Sequence, residues 1–450
     1  NLIIDACEAL TVIDVNTASC TGERQLAQTI RQVNTEACGE VARQIRLRNL
    51  SGIIIVDMID MAAEQDRETV LQTMADPKAG DPLSAGAGRK RKGTGMSTRV
   101  EHISSEELAR QRELMDSFRQ LTERPRSYHI VTYGCQMNAH DSEYLAGMLR
   151  DMGLTEAENR EEADFVLFNT CCVRDNAERR ALGNVTWLNE VKKRRPELLI
   201  GVCGCMVQQE GMAQRILKQY PFVDLAFGTS NLYRLPELLL ETLRSEHTVL
   251  AVDDRDTLAE GLPMQRLRRE AAYINIMFGC NNFCTYCVVP SVRGRERSRR
   301  PADILREAEA LRDSGVQEIM LLGQNVNSYG RGLAEETSFA QLLQQVDALG
   351  IPRIRFMTSH PKDLSDELID VMAGSEHILP QFHLPVQSGN DEILKRMNRH
   401  YTREKYLDRV RRLRKAVPGI GLSTDIIVGF PGETEAQFED TLSLVREVRY

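Results

Sequence analysis

Three cysteines, Cys280, Cys284 and Cys287, lie in the stretch FGCNNFCTYC with the spacing Cys-x3-Cys-x2-Cys, and no fourth cysteine follows nearby. A structural zinc site takes four protein ligands. A 4Fe–4S cubane held by three thiolates leaves one iron without a protein ligand. That iron can chelate the amino and carboxylate groups of S-adenosylmethionine (SAM), and one-electron reduction then yields a 5′-deoxyadenosyl radical, chemistry beyond any side chain. The alternative is a zinc site completed by a distant His or Cys, and the chain has eight histidines. Two features favour the open cluster. Tyr286 sits beside the last cysteine, where it is expected to contact SAM, and the loop follows the predicted strand AYINIMFG. Cys280, Cys284 and Cys287 are therefore expected to be the catalytic cluster ligands.

A second group of thiols is dispersed in sequence. Cys135, one of Cys171 and Cys172, and one of Cys203 and Cys205 each end a successive predicted strand, in YHIVTYGC, ADFVLFNTCC and LLIGVCGC. In an open parallel sheet that edge gathers ligands. Cysteines far apart in the chain are thus expected to converge there on a second cluster. Local chemistry does not choose within either pair, since Cys203 and Cys205 would share one strand face.

These loops need a scaffold. From about residue 127 short apolar runs alternate with helical patterns, which predicts a parallel sheet with crossover helices. A second series follows from AYINIMFG through EIMLLGQ, RIRFMTS, ILPQFHLPV and GLSTDIIVGF, with amphipathic helices between. Its repeats predict a partial (β/α)6 barrel. The last helix, ETEAQFEDTLSLVREV, has no strand after it, so the barrel is expected to stop one strand short. The first eighty residues read as a small α/β piece with strands ALTVIDVNT and SGIIIVDMIDM and a long helix between them. Residues 76–95, rich in Gly, Pro, Ala and basic side chains, read as a linker whose RKRK is solvated. The expected division is 1–80, a linker and polar helical segment over 81–126, a sheet domain over 127–250 and a barrel domain over 251–450.

The chain has 450 residues, 42% hydrophobic and 27% charged, an ordinary globular balance with room for two or three domains. No run approaches the length needed to span a bilayer and no signal pattern opens the chain, so a cytoplasmic location is expected. A net charge of −8 gives no global pull toward nucleic acid, which leaves local patches to do any RNA binding. Eleven cysteines are too few for a disulfide scaffold, and the isolated Cys7, Cys20 and Cys38 read as small buried hydrophobes.

The motifs TYGCQMNAHDSE, NTCCVRDNAE, GCMVQ, FGCNNFCTYCVVPSVRGRERSR, LGQNVNSYG, LPVQSGND and DIIVGFPGETE together resemble the radical SAM methylthiotransferases, and within them the MiaB-type tRNA enzymes. The resemblance runs from about residue 128 to the end, with the motifs in the family's order. It implies a second 4Fe–4S cluster and selects Cys135, Cys171 and Cys205 as its ligands. It also implies insertion of a methylthio group at carbon 2 of isopentenyl-adenosine beside the anticodon. An electron donor such as flavodoxin or ferredoxin would supply the reduction, and the chain is expected to act as a monomer. A sixth barrel strand and a C-terminal RNA-binding TRAM domain would follow in that family. Other readings are a relative that modifies an aspartate of a ribosomal protein, and an RNA-binding or ribonuclease protein with structural clusters. The first eighty residues resemble part of the E/G family of endoribonucleases. In that family two aspartates bind magnesium, and Asp14 and Asp57 match them here.

Substrate contacts are expected from two places. Arg293, Arg295, Arg297, Arg299 and Arg300 crowd the stretch after the radical motif and form a candidate phosphate patch. Gln324, Asn325, Gln387 and Ser388 follow barrel strands and are expected to face SAM in the barrel mouth.

Overall fold

The computed structural model describes residues 2–6, 10–15, 34–35, 37–38, 41, 53–57 and 69–70, then 101–450 apart from 173–174, 254–256, 267 and 335–336. The chain divides after Ser97 into two compact units. Cys7, Cys20, the RKRK linker and most of the N-terminal helix lie outside the described residues.

In the first unit, β1 (Leu2–Ala6) pairs antiparallel with β2 (Leu10–Val15), and β2 pairs in parallel with β3 (Ile53–Asp57). Asp14 and Asp57 are direct cross-strand partners in that parallel register. Cys38 is fully buried and its thiol meets the Val70 carbonyl at 3.6 Å.

The second unit opens with β4 (Glu101–His102) and α1 (Ser105–Gln120), capped by the Ser104 hydroxyl accepting from the Glu107 amide. A six-stranded parallel sheet follows: β5 (Ser127–Thr132), β6 (Thr155–Glu156), β7 (Phe165–Thr170), β8 (Leu199–Gly204), β9 (Leu225–Phe227) and β10 (Val249–Ala251). Their spatial order is β10-β9-β8-β7-β5-β6. The crossovers carry α2 (Gln136–Asp151), α3 (Asp175–Lys192), α4 (Met212–Gln219) and α5 (Leu235–Thr242). Every residue of β7 is buried because both sheet faces are covered. Phe165 and Leu167 join a core with Tyr128, Leu145 and Phe227 on one face; Val166 and Phe168 join Val185, Ile200 and Ile216 on the other. The short outer strands β6 and β10 were not legible as apolar runs, having two and three residues.

The barrel begins after β11 (Thr257–Leu258), which pairs with β4. Its parallel strands are β12 (Ala271–Asn275), β15 (Glu318–Leu322), β16 (Arg353–Phe356), β17 (Gln381–His383) and β18 (Gly421–Ser423). They run β12-β15-β16 and β17-β18, and a bridge from Ile354 to Ile378 leads from β16 toward β17. Between β12 and β15 the chain forms a small antiparallel pair, β13 (Met277–Phe278) with β14 (Arg297–Ser298). The expected strand AYINIMFG is thus two strands, divided at Ile276. The helices are α6 (Val289–Val292), α7 (Pro301–Asp313), α8 (Phe339–Asp347), α9 (Asp366–Gly374), α10 (Asp391–Arg396), α11 (Arg403–Ala416) and α12 (Glu435–Val448). One continuous core joins strands and helices, with Ile274, Leu321, Ile354, Phe382, Tyr406 and Leu444 all fully buried.

Candidate active site

In the six-stranded sheet the strand order reverses between β5 and β7, and ligands bind at the carboxyl ends flanking such a switch. Cys135 follows β5, Cys171 follows β7 and Cys205 follows β8. Gly134, at φ +112°, lets the first two loops touch: a Cβ there would lie 2.5 Å from Cys171 Cβ and 2.8 Å from its sulfur. Asn138, one turn into α2, is fully buried and organises all three loops. Its Nδ2 donates to the carbonyls of Tyr133 at 3.0 Å and Thr170 at 2.9 Å. Its Oδ1 lies 3.9 Å from the Cys135 sulfur and 3.8 Å from the Cys205 sulfur.

Gly204 sends the two cysteines of CGC to different surroundings. At φ +95° it breaks strand alternation, so Cys203 enters the core beside Phe165 and Leu225 while Cys205 turns to the sheet edge. Burial pushes the Cys203 thiol well above its ordinary range. Cys205 is different. The Cys172 thiol donates to it, and this contact, helped by the Arg293 guanidinium against the cost of burial, holds Cys205 down to about 6. A Cβ at Gly204 would lie 2.5 Å from the Thr170 carbonyl and 2.6 Å from Asn169 Oδ1. Gly204→Ala is therefore expected to cost about 1–3 kcal/mol and to cut iron bound at this edge, checked by thermal unfolding and iron content.

The radical-type loop is held from two sides. Gly279, at φ +72°, allows such close approach that a Cβ would meet the Arg295 carbonyl at 2.0 Å. The Cys280 amide donates to the Gly294 carbonyl at 3.2 Å. On the other side Asn398 Nδ2 donates to the carbonyls of Asn282 and Phe283, both at 3.0 Å, and the Thr285 amide donates to Met397. Cys280 and Cys284 are buried and Cys287 is half-buried. Burial, with like charge from neighbouring thiols, pushes Cys280 up to about 11 and raises Cys287. Thiols beside one another ionise together when a bound cation neutralises them, as iron would. Arg399, absent from the sequence-based candidates, is buried with Nη1 3.5 Å from the Cys284 sulfur, Nη2 2.7 Å from the Pro385 carbonyl and Nε 3.1 Å from the Tyr401 hydroxyl. Tyr286 is partly exposed beside Arg399 and Cys284.

The barrel mouth carries polar atoms with no protein partner. Gln324 Oε1 and Asn325 Oδ1 follow β15, Ser359 Oγ and His360 Nε2 follow β16, and both amide atoms of Asn275 end β12. Asn325 is held by donation from Nδ2 to Asp363 at 2.8 Å. Leaving a buried polar atom unsatisfied costs about 1–3 kcal/mol, so a set of them at the strand ends suits a polar ligand such as SAM. Gln387, buried at φ +70°, offers backbone bonds to Asp425 and Ile427. Ser388 does not face the mouth as expected. Its hydroxyl pairs with Thr441 of α12 at 3.3 Å and accepts from the Asn390 amide at 3.2 Å, tying a loop to a helix.

Burial, reinforced by the Arg399 charge, pushes His360 down to about 2. Because its folded pKa lies below the unfolded value near 6.5, the unfolded chain binds more protons and stability falls as pH drops below about 6.5. Its contribution to that slope approaches about 1.4 kcal/mol per pH unit. His360→Asn is expected to flatten the pH dependence of chemical unfolding between about pH 6.5 and 5.

The five arginines do not form one phosphate-facing patch. Arg293, Arg297 and Arg299 are buried. Arg299 clamps both carboxylate oxygens of Glu260 at 2.7 Å and pairs with Glu307 at 2.8 Å; Arg297 donates to the carbonyls of Arg293 and Arg295. The β13–β14 pairing carries these side chains inward, where each finds partners. Arg295 and Arg300 stay exposed. Arg295 lies over the Phe283 ring at 4.5 Å, and Arg300 pairs with Asp303 at 2.6 Å.

Comparison with known proteins agrees with this architecture. The Radical SAM superfamily matches residues 274–445, Uncharacterized protein family UPF0004 matches 127–228, and the Ribonuclease E/G family matches 1–86. The tRNA-2-methylthio-N(6)-dimethylallyladenosine synthase of Caldicellulosiruptor saccharolyticus is 55% identical over 327 residues, covering 72% of this chain and 69% of its own length. The Alkaliphilus oremlandii enzyme of the same name is 52% identical over 351 residues, covering 77% and 74%. Among solved structures, the radical SAM methyltransferase TsrM from Kitasatospora setae with cobalamin and a [4Fe-4S] cluster bound aligns at TM-score 0.51 and 17% identity, covering 72% of this chain and 74% of that one. The cobalamin-dependent SAM radical enzyme OxsB aligns at 0.50 and 15%, covering 72% and 52%. These structures share the fold alone. Fold and cysteine loop define a radical SAM enzyme, for which SAM and a 4Fe–4S cluster are the cofactors. The chain belongs to the tRNA-2-methylthio-N6-dimethylallyladenosine synthase family of radical SAM methylthiotransferases. Among the described residues no helix is long and apolar enough to cross a membrane.

Proposed function

We propose that this chain inserts a methylthio group at carbon 2 of isopentenyl-adenosine in tRNA, using one cluster on Cys280, Cys284 and Cys287 and a second on Cys135, Cys171 and Cys205. The observation that carries this reading is the approach of the Cys135 and Cys205 sulfurs to Asn138, with Cys171 against Gly134, at the switch point of a domain that precedes a radical SAM barrel. Each set offers the three thiols that a cluster with one open iron would take, although among the described residues no three such side chains are already close enough to hold a metal ion. When bound, the first cluster supplies reductive cleavage of SAM to a radical, and the second supplies the sulfur that is transferred.

The chain's own side chains hold and orient. Arg399 and Asn398 fix the radical loop, and the unpartnered atoms of Gln324, Asn325, Ser359 and His360 receive polar groups of SAM. Tyr286 offers an aromatic face beside the same loop, and the Gln387 backbone shapes the mouth. The exposed Arg295–Phe283 pair suits stacking and phosphate contact with RNA, with Arg300 as a further contact. A one-electron donor of the flavodoxin or ferredoxin kind provides the reduction, and the chain works as a cytoplasmic monomer.

The test is anaerobic reconstitution with iron and sulfide, followed by reductant, SAM and isopentenylated tRNA. Mass spectrometry would follow 5′-deoxyadenosine and the methylthio-nucleoside together. Both products are expected. Deoxyadenosine with unmodified tRNA would overturn the substrate assignment. Arg295→Glu is expected to weaken tRNA binding several-fold and to lessen its salt dependence, while deoxyadenosine formation without tRNA is unchanged. Filter binding across a salt series would check this.

A further inference from the structure

Arg293 lies six residues after Cys287 yet points away from the radical loop. Its amide closes the last turn of α6 by donating to Val289 at 2.8 Å, and the side chain crosses to the sheet domain. There Nε lies 3.2 Å from the Cys205 sulfur, and Nη2 reaches Asn138 Oδ1 at 2.9 Å and Asp141 Oδ2 at 2.6 Å. Arg293 and Asp141 side chains are 6% and 4% exposed. A second tie lies alongside: the Thr229 hydroxyl, after β9, donates to the Val292 carbonyl at 2.7 Å. The sheet domain's thiol edge is therefore completed by a residue of the barrel domain.

A guanidinium is expensive to bury, and a single carboxylate would satisfy it wherever the two met. Here its fork is spread over a thiol, an amide oxygen that also faces Cys135, and a carboxylate. Each is attached to the loop or helix that carries a cluster cysteine. Hydrogen bonds to the sulfurs and net charge beside them are what set the reduction potential of an iron–sulfur cluster. A cation 3.2 Å from one thiolate, out of reach of solvent, acts there with little screening.

We propose that Arg293 is a positioning residue for the second cluster, supplied by the radical domain, which orients Cys205 and Asn138 and raises the potential of that cluster against the opposing charge of Asp141. The inference rests on the two-cluster reading above. It gives the two domains a physical coupling: the edge that holds the sulfur has its working electrostatics when the segment leaving the radical loop is docked on it.

The test uses the full chain carrying Cys280→Ala, Cys284→Ala and Cys287→Ala, so that iron reports on the second cluster alone. Into this parent go Arg293→Met, Arg293→Lys and Asp141→Asn, each reconstituted, counted for iron and titrated potentiometrically with electron paramagnetic resonance detection. Expected are a more negative midpoint in Arg293→Met, a more positive one in Asp141→Asn, and a value near the parent in Arg293→Lys, each with about four irons. A merely structural tie would leave all potentials alike. Unchanged potentials in both Arg293→Met and Asp141→Asn at full iron content would overturn the proposal. Should Arg293→Met bind no iron, the Asp141→Asn shift decides, because that variant keeps the arginine. A parent that binds no iron would overturn the two-cluster reading, and the inference with it.

Discussion

Cys284→Ala is expected to abolish 5′-deoxyadenosine formation from SAM, a loss of at least about 10³-fold or about 4 kcal/mol of barrier lowering. Iron should fall from about eight to about four per chain, the remainder held by the sheet domain. The size of the effect follows from the division of labour. Loop geometry, barrel and SAM-facing polar atoms all survive the substitution, since Cys284 is anchored by neighbours on both sides: Asn398 grips Asn282 and Phe283, and Thr285 bonds to Met397. What is lost is the redox centre, and no side chain can replace it. Arg399→Ala makes the contrast. It removes the donor to Cys284 together with a bond to the Pro385 carbonyl, and leaves that carbonyl with only the long contact from the Tyr401 hydroxyl at 3.4 Å. About 2–4 kcal/mol of stability should go with it, while iron binding weakens without vanishing. Full deoxyadenosine yield from Cys284→Ala would mean that the loop does not hold the radical centre.

What the sequence disclosed and what it concealed divide along physical lines. The barrel strands were legible as short apolar runs separated by amphipathic helices, and the radical loop because its cysteines are close in sequence. That Cys135, one of Cys171 and Cys172, and one of Cys203 and Cys205 end successive strands was legible as a topological expectation, since parallel strands present their ends at one edge; Cys171 and Cys205 were singled out by the family resemblance alone. The Cys203 or Cys205 choice was not: strand alternation put both on one face, and the left-handed turn at Gly204 overrides it. The arginines misled for a related reason. Five cations in eight residues read as a phosphate patch, but Arg297 of β14 and Arg299 just after it turn inward against carbonyls and Glu260. Asn138 and Asp141 carried a faint signal, at three and six residues after Cys135 on one helix face. Arg399 carried none, because its partner Cys284 lies more than a hundred residues upstream.

The second large effect concerns which thiols hold the sheet-edge iron. Cys135→Ala, Cys171→Ala and Cys205→Ala are each expected to reduce iron from about eight to about four and to stop methylthio transfer, while deoxyadenosine formation continues. Cys203→Ala should keep all its iron and lose about 1 kcal/mol of stability, as a small core truncation does. Cys172→Ala is the decisive member. Its thiol meets Cys205 and Gln209, so proximity alone does not exclude it. Cys171 is favoured because its Cβ and sulfur press on Gly134, directly beside Cys135. Full iron in Cys172→Ala with half in Cys171→Ala supports that assignment. The reverse pattern would transfer the ligand role to Cys172. Equal loss in both would mean that the edge needs four thiols, which would close the open iron position on which sulfur transfer depends.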